Sequence, residues 1–262
     1  MSEPLPQYER PPVVETAFAV EFAQLKDWNV AHYGVLWERF RAKYPNLEVH
    51  PFLPASPIPM KFDIQDPPLR CFFLNEARTQ LVQVRPGAFV RNWRAMPENH
   101  QYPRYKTIRP SFEHDFEIFE GFLREFHFPK IEAWRCEVTY INHLIQGRDW
   151  TDLSSLHSLL PILSADKLEG LVRDFSHANF SFGYQLPDDS GSLQIELQQL
   201  ISPQGKQILQ LTFTAIGAPQ GSDLGSIVKW FDKGRYAIVK SFSQFTSLET
   251  QNQIWRREWA TT

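Results

Sequence analysis

Residues 192–216 read SLQIELQQLISPQGKQILQLTFTAI. Leu193, Ile195 and Leu197 alternate with Gln194, Glu196 and Gln198. That period of two puts the first set on one face of a sheet and leaves the second in water. Ser202-Pro203-Gln204-Gly205 between the two runs is turn chemistry, because proline presets φ and glycine accepts positive φ. The stretch therefore predicts two antiparallel strands, 192–200 and 207–216. A third, 179–186, precedes them across Pro187-Asp188-Asp189-Ser190-Gly191.

Working outward, 131–145 predicts a strand and 152–163 a helix, with Leu153, Leu156, Leu159 and Leu160 at helical spacing. Residues 164–174 are loosely helical. After the three strands, 223–245 predicts a long helix with Ile227, Trp230, Phe231, Ile238, Phe242 and Phe245 on its apolar side. The same order lies upstream. Residues 13–22 are β-branched and apolar, and 30–44 predicts a helix on Tyr33, Leu36, Trp37 and Phe40, with Asp27 or Asn29 as cap. Residues 48–68 hold six prolines and read as an extended connection with room for an edge strand. Runs 69–74, 80–85 and 88–93 form a meander. Pro110 opens a second helix on Phe112, Phe116, Phe119, Leu123 and Phe126, with Glu113, Asp115, Glu117 and Glu120 suiting its dipole.

The chain thus reads strand–helix–three strands–helix twice, with a period of about 120 residues. The expected fold class is α+β, two similar halves forming an extended antiparallel sheet with helices packed on one face. That order resembles TATA-binding-protein-like and helix-grip folds, a likeness of topology alone that fixes no function. The expected organisation is a flexible lead over 1–12, halves over 13–129 and 130–250, and a C-terminal tail over 251–262. The tail's Ile254-Trp255-Arg256-Arg257-Glu258-Trp259 is short, basic and aromatic. It reads as a docked cap, with an interaction motif as the alternative.

Composition limits the function classes. At 262 residues with 42% hydrophobic and 22% charged, the chain buries a large core without disulfide staples and is not globally disordered. No run of about 18 apolar residues exists, which excludes a transmembrane helix. The polar, proline-rich start is no signal peptide, so a cytoplasmic location is expected, with no membrane partner. A net charge of −3 gives no global attraction to nucleic acid. Cys71 and Cys136 sit in apolar runs and read as reduced core thiols, although a Cys–His nucleophile pair stays open. No ligand spacing for a metal and no glycine-rich phosphate loop is present, so no metal and no cofactor is expected.

Several phrases carry a family likeness. They are Pro11-Pro12-Val13-Val14-Glu15-Thr16, His32-Tyr33 with Trp37, Phe73-Leu74-Asn75-Glu76 and Val90-Arg91-Asn92-Trp93-Arg94, then Tyr102-Pro103-Arg104-Tyr105 and Cys136-Glu137-Val138-Thr139-Tyr140-Ile141-Asn142-His143. In these the chain resembles a sporadically distributed, uncharacterised family of bacterial and archaeal proteins of similar length. The likeness spans most of the chain and is clearest before residue 145. The family's patchy distribution implies a prokaryotic context of horizontally moved genes, such as defence or toxin–antitoxin cargo.

Two groups of residues are candidates for chemistry. The stretch 85–109 holds Arg85, Arg91, Arg94, Arg104, Lys106 and Arg109 against one acid, Glu98, with Phe89, Trp93, Tyr102 and Tyr105 interleaved. Cations neutralise phosphates and aromatics stack bases, so Arg85, Arg91, Trp93, Arg94, Arg104 and Tyr105 are candidate binding residues. The other reading is a solvated rim of Arg–aromatic pairs. The second group is polar. Glu137 and Thr139 share one strand face, and Glu15 occupies the matching strand of the first half. His32 sits on the first helix, and Asn142 and His143 close the later strand. A buried carboxylate needs a partner or a raised pKa, so these are general bases or structural ion pairs. No catalytic residue is marked by context. The expected role is a non-catalytic binding or regulatory component with a protein partner. A nucleic-acid-binding protein is the first alternative and a hydrolase-like enzyme around Glu15, Glu137 and His143 the second.

Overall fold

The computed structural model describes residues 4–51, 69–163 and 176–259. The fold is mixed α and β. In chain order its elements are β1 (Pro6–Tyr8), β2 (Val13–Phe22), α1 (Val30–Phe40), β3 (Asn46–Pro51), β4 (Leu69–Leu74), β5 (Gln80–Arg85), β6 (Ala88–Arg94), α2 (Tyr105–Glu125), β7 (Ala133–Ile145), α3 (Leu156–Leu159), β8 (Phe180–Gln185), β9 (Ser192–Ile201), β10 (Gln207–Gly217), α4 (Leu224–Phe245), α5 (Leu248–Gln253) and β11 (Arg257–Trp259). Nine strands hydrogen-bond in the order β3-β4-β5-β6-β2-β7-β10-β9-β8, and β1 pairs with β11. The β3–β4, β4–β5, β5–β6, β8–β9, β9–β10 and β1–β11 pairings are antiparallel. The chain divides into two compact units. One holds residues 16–137 and 218–231, the other 1–15, 138–217 and 232–262.

In the first unit, α1 starts where Asn29 caps it. The Asn29 Oδ1 accepts from the Ala31 N–H at 3.0 Å, and His32 Nδ1 accepts from the Asn29 N–H at 3.0 Å. This satisfies donors that the first helical turn leaves orphaned. Tyr33, Leu36 and Phe40 turn inward. The regular helix ends at Phe40, short of the expected residue 44. The chain wraps on so that the Tyr44 N–H still reaches the Phe40 carbonyl at 2.8 Å and the Tyr44 ring is buried. The expected connection over 48–68 begins with β3, a terminal strand of the sheet; residues 52–68 lie outside the described residues.

The helix expected from Pro110 begins five residues earlier, at Tyr105. Proline at that point removes a single donor one turn in, a cost that the apolar face of α2 offsets. Phe112, Phe116 and Phe119 pack their rings on Phe89 of β6 at 5.9, 5.4 and 5.1 Å. Phe112 also meets Phe231 of α4 edge-on at 4.9 Å.

In the second unit, β7, β9 and β10 alternate as their sequences predict. Val138, Tyr140, Asn142 and Leu144 are buried on β7, with Leu193, Ile195 and Leu197 on β9 and Leu209, Leu211, Phe213 and Ala215 on β10. The helix expected over 152–163 is shorter: a 3-10 turn over Leu153–Ser155, then α3 alone. Leu160 leaves the helix at φ −120°, ψ 86°. Pro161 follows, and the residue before a proline is pushed out of the helical region. Residues 164–174, expected to be loosely helical, lie outside the described residues up to residue 175.

The chain's two ends are ordered against each other. Residues 6–8, inside the expected flexible lead, form β1 and pair with β11. Trp255 is 1% exposed, and its Nε1 donates to Asp149 Oδ1 at 3.0 Å. Gln251 is wholly buried. Its Nε2 donates to the Ser243 and Thr246 carbonyls at 2.7 and 2.9 Å, and its Oε1 accepts from the Tyr8 hydroxyl at 3.1 Å. The tail expected over 251–262 is thus a packed cap in its described part. Deleting residues 251–262 removes a buried tryptophan, worth about 3–5 kcal/mol alone. In a chain of this size that lowers Tm by at least about 6 °C, read by differential scanning calorimetry. An unchanged Tm would mean that the cap contributes no stability.

Candidate functional site

The candidate cations of 85–109 are distributed by the strand period. Arg91 points inward from β6 and is 2% exposed. Its Nε donates to Asp115 Oδ2 at 3.0 Å, its Nη1 to the Asn92 carbonyl at 2.5 Å and its Nη2 to Gln80 Oε1 at 2.6 Å. Asp115, on α2, is wholly buried and also accepts from the Tyr44 hydroxyl at 2.5 Å and from Lys43 Nζ at 2.8 Å. Burial, foremost, pushes the Tyr44 phenol far above its ordinary pKa, Arg91 opposing and Asp115 adding to the shift. This cluster uses the Arg91 guanidinium internally. Trp93 is buried as well, 5.3 Å from the Tyr102 ring.

The other candidates in this stretch are half-buried. Arg85 pairs with Glu21, Nη2 to Oε1 at 2.6 Å. Arg94 donates from Nε to the Arg78 carbonyl at 2.9 Å. Arg104 sits before α2 with its guanidinium 5.8 Å from the Tyr102 ring centroid, and Tyr105 opens that helix 5.7 Å from Phe18. Arg109, exposed on α2, pairs with Glu113 at 2.9 Å.

Of the polar candidates, Glu137 faces Arg135, Nη2 to Oε2 at 2.8 Å, and Arg135 Nη1 also reaches Glu21 Oε2 at 3.2 Å. Arg85, Glu21, Arg135 and Glu137 therefore form one half-buried chain of alternating charge. Glu15 is half-buried on β2. His32 spends its Nδ1 on the α1 cap; its ring lies tilted 5.5 Å from Trp28 and meets Phe128 edge-on at 5.1 Å. Asn142 points into the core and donates to the Leu211 carbonyl at 3.0 Å. His143 lies on the opposite face of β7, its Nε2 3.2 Å from Gln210 Oε1. Burial holds its pKa below the usual imidazole range, the Gln210 hydrogen bond opposing and Arg148 assisting. Burial pushes the Cys71 and Cys136 thiols up to about 12, so both are protonated at neutral pH, whereas a thiol nucleophile acts as thiolate.

The second unit presents a further polar surface. Opposite the core, Gln198 pairs with Gln210, Glu196 with Thr212 and Gln194 with Thr214. Thr139 Oγ1 lies 3.3 Å from Thr214 Oγ1, which with the His143–Gln210 contact extends the array onto β7. Ser181 and Gly183 of β8 register with Glu196 and Gln194. Across residues 139–143, 181–185, 194–198 and 210–214 this face holds one carboxylate, Glu196, and no lysine or arginine. The alternation in 192–216 signals a wet face; the strand registers that assemble it are nonlocal. Asp115 had a local signal, since it falls three residues after Phe112 on the apolar stripe of α2.

Among the described residues no group of three His, Cys, Asp or Glu side chains is arranged to hold a metal, and no helix is long and apolar enough to cross a membrane. Comparison with protein-family models and with curated proteins finds no match.

Proposed function

We propose that the protein is a non-catalytic binding component whose partner is another protein. The hydrogen-bonding face formed by Thr139, His143, Gln194, Glu196, Gln198, Gln210, Thr212 and Thr214, with a single carboxylate, carries this reading. Ordered amides and hydroxyls offer donors and acceptors to a polypeptide, and with Arg148 beside His143 as the cation nearest these residues and Glu196 among them, a phosphate backbone finds little to bind. Supporting the choice over a nucleic-acid partner, Arg85, Arg91 and Arg109 are matched by Glu21, Asp115 and Glu113. The hydrolase-like alternative is weakened in the same way, since Glu137 is held by Arg135.

The reading of two related halves draws on strand order. Within one half the order is β4-β5-β6-β2, and within the other β8-β9-β10-β7. Membership of the resembled prokaryotic family, a cytoplasmic location and a place in a defence or toxin–antitoxin locus extend the proposal on the phrases quoted above.

The test is affinity capture from a near-native host followed by mass spectrometry. Wild-type chain is expected to retain a stoichiometric second protein. A Gln194→Lys/Gln198→Lys variant, altered only at exposed positions of β9, is expected to lose it with an unchanged circular dichroism spectrum. Undiminished capture by that variant sinks the reading. Salt-sensitive retention of an oligonucleotide, lost in Arg94→Ala/Arg104→Ala, would replace it with the nucleic-acid alternative.

A further inference from the structure

The nine-stranded sheet ends in two strands of different character. β3, at one end, is blunted. It carries Glu48, which binds both Arg78 and His50, and it ends in Pro51. Charges and proline on a terminal strand are the usual guards against another chain's adding to the sheet. β8, at the other end, has the sequence FSFGYQ, with no charge and no proline. All six of its residues register with β9 in sequence, without a bulge.

The phase of its hydrogen bonds follows from the hairpin that joins the two strands. The Leu186 N–H donates to the Gly191 carbonyl at 2.8 Å. Residues 186 and 191 are therefore a hydrogen-bonded pair, and bonded pairs alternate along an antiparallel ladder. Tyr184, Phe182 and Phe180 bond to β9. Ser181, Gly183 and Gln185 turn their N–H and C=O groups away from it. These three residues are exposed, and Tyr184 is 41% exposed. Among the described residues no strand pairs with this side of β8.

Among the described residues nothing requires glycine at 183. A Cβ there would meet nothing within 4 Å, and its φ is not positive. Glycine inside a strand costs stability and often marks a bulge, a bend or a close approach of a ligand or another backbone; the unbroken register with β9 leaves no bulge here. The strand is also self-complementary. An antiparallel pairing of β8 with a second β8 about Gly183 sets glycine against glycine. It sets Ser181 against Gln185 and Phe182 against Tyr184, with no like charges opposed.

We infer that a second copy of this chain pairs with the β8 edge, antiparallel and centred on Gly183, giving a twofold-symmetric dimer. The outward groups of Ser181, Gly183 and Gln185 then form about six backbone hydrogen bonds. On the core side, Phe182 and Tyr184 pair across the junction, extending the ring row that already joins Phe180 and Phe182 to Phe245 at 6.1 and 6.0 Å. A six-residue strand is about 20 Å long, a junction smaller than a standard interface, so the dimer dissociates on dilution. The inference concerns the backbone edge of β8, whereas the protein-partner reading rests on side chains of β7, β9 and β10.

Sedimentation velocity over a concentration series tests it, with amide hydrogen exchange as second readout. The wild-type chain is expected to pass from monomer to dimer as concentration rises, with slowed exchange at Ser181, Gly183 and Gln185. Ser181→Lys/Gln185→Lys opposes like charges twice across the junction and is expected to raise the dimer Kd at least about tenfold. Gly183→Pro removes an outward N–H and no β9 hydrogen bond; it is expected to leave a folded monomer. A wild-type monomer at every concentration overturns the inference. So does undiminished dimerisation in either variant whose circular dichroism matches wild type.

Discussion

Gly191→Ala is expected to destabilise the fold by at least about 4 kcal/mol, at the extreme of single-substitution effects. The residue immediately precedes β9 at φ +140°, a conformation that side-chain-bearing residues rarely adopt. A Cβ built there would lie 2.0 Å from the Ile216 carbonyl oxygen and 2.9 Å from the Gly217 Cα. Both neighbours are backbone of the adjacent strand, so neither can rotate away. Gly205 supplies the control. It also has positive φ, +75°, but a Cβ there meets nothing within 4 Å. Gly205→Ala therefore adds only left-handed strain, about 1–2 kcal/mol. Urea unfolding of the two variants separates steric exclusion from backbone preference. Equal midpoints for the two would refute the packing argument.

Asp115→Ala is expected to cost about 3–5 kcal/mol, because it leaves a buried guanidinium without its counter-charge. Lys43 is half-exposed and can turn to water; Arg91 cannot. The Tyr44 hydroxyl loses its acceptor at the same time. The penalty shrinks when both charges go together. Arg91→Met with Asp115→Leu is expected to recover at least about half of the loss, since replacing a whole buried pair with apolar residues is far less costly than breaking it. A double-mutant cycle in urea measures the coupling. A single-variant loss below about 1 kcal/mol would mean that water reaches the cluster.

How far the sequence reveals this fold depends on how local each signal is. β9 and β10 are legible in residues 192–216 because alternation and turn chemistry act within a few positions. The start of α2 is not, because Pro110 suggests a beginning while the stabilisation comes from Phe89, on another element. The end of α3 is local again, set by Pro161 acting on Leu160. For the candidate site the nonlocal share is larger. By sequence Arg91 is one cation of a basic stretch. Its role depends on Asp115, 24 positions away, and on Tyr44, which binds that aspartate across 71 positions. Asp115 itself suits the helix dipole by its place in the sequence, although its spacing from Phe112 places it on the apolar stripe. The charge chain through Glu21, Arg85, Arg135 and Glu137 likewise joins residues up to 114 positions apart.

The pairing of Pro6–Tyr8 with Arg257–Trp259 bears on the order in which the chain is made. Translation proceeds from the N-terminus, so among the described strands β1 emerges first and its partner last. Residues 16–137 supply most of one unit early. The other unit takes segments from the beginning, middle and end of the chain, and it closes only when Gln251 and Trp255 have left the ribosome. Until then β1 waits with an open edge, and the buried surroundings of Asp149 lack the indole that completes them. A stalled or prematurely terminated chain would therefore present this second unit unfinished, a natural mark for proteolytic clearance.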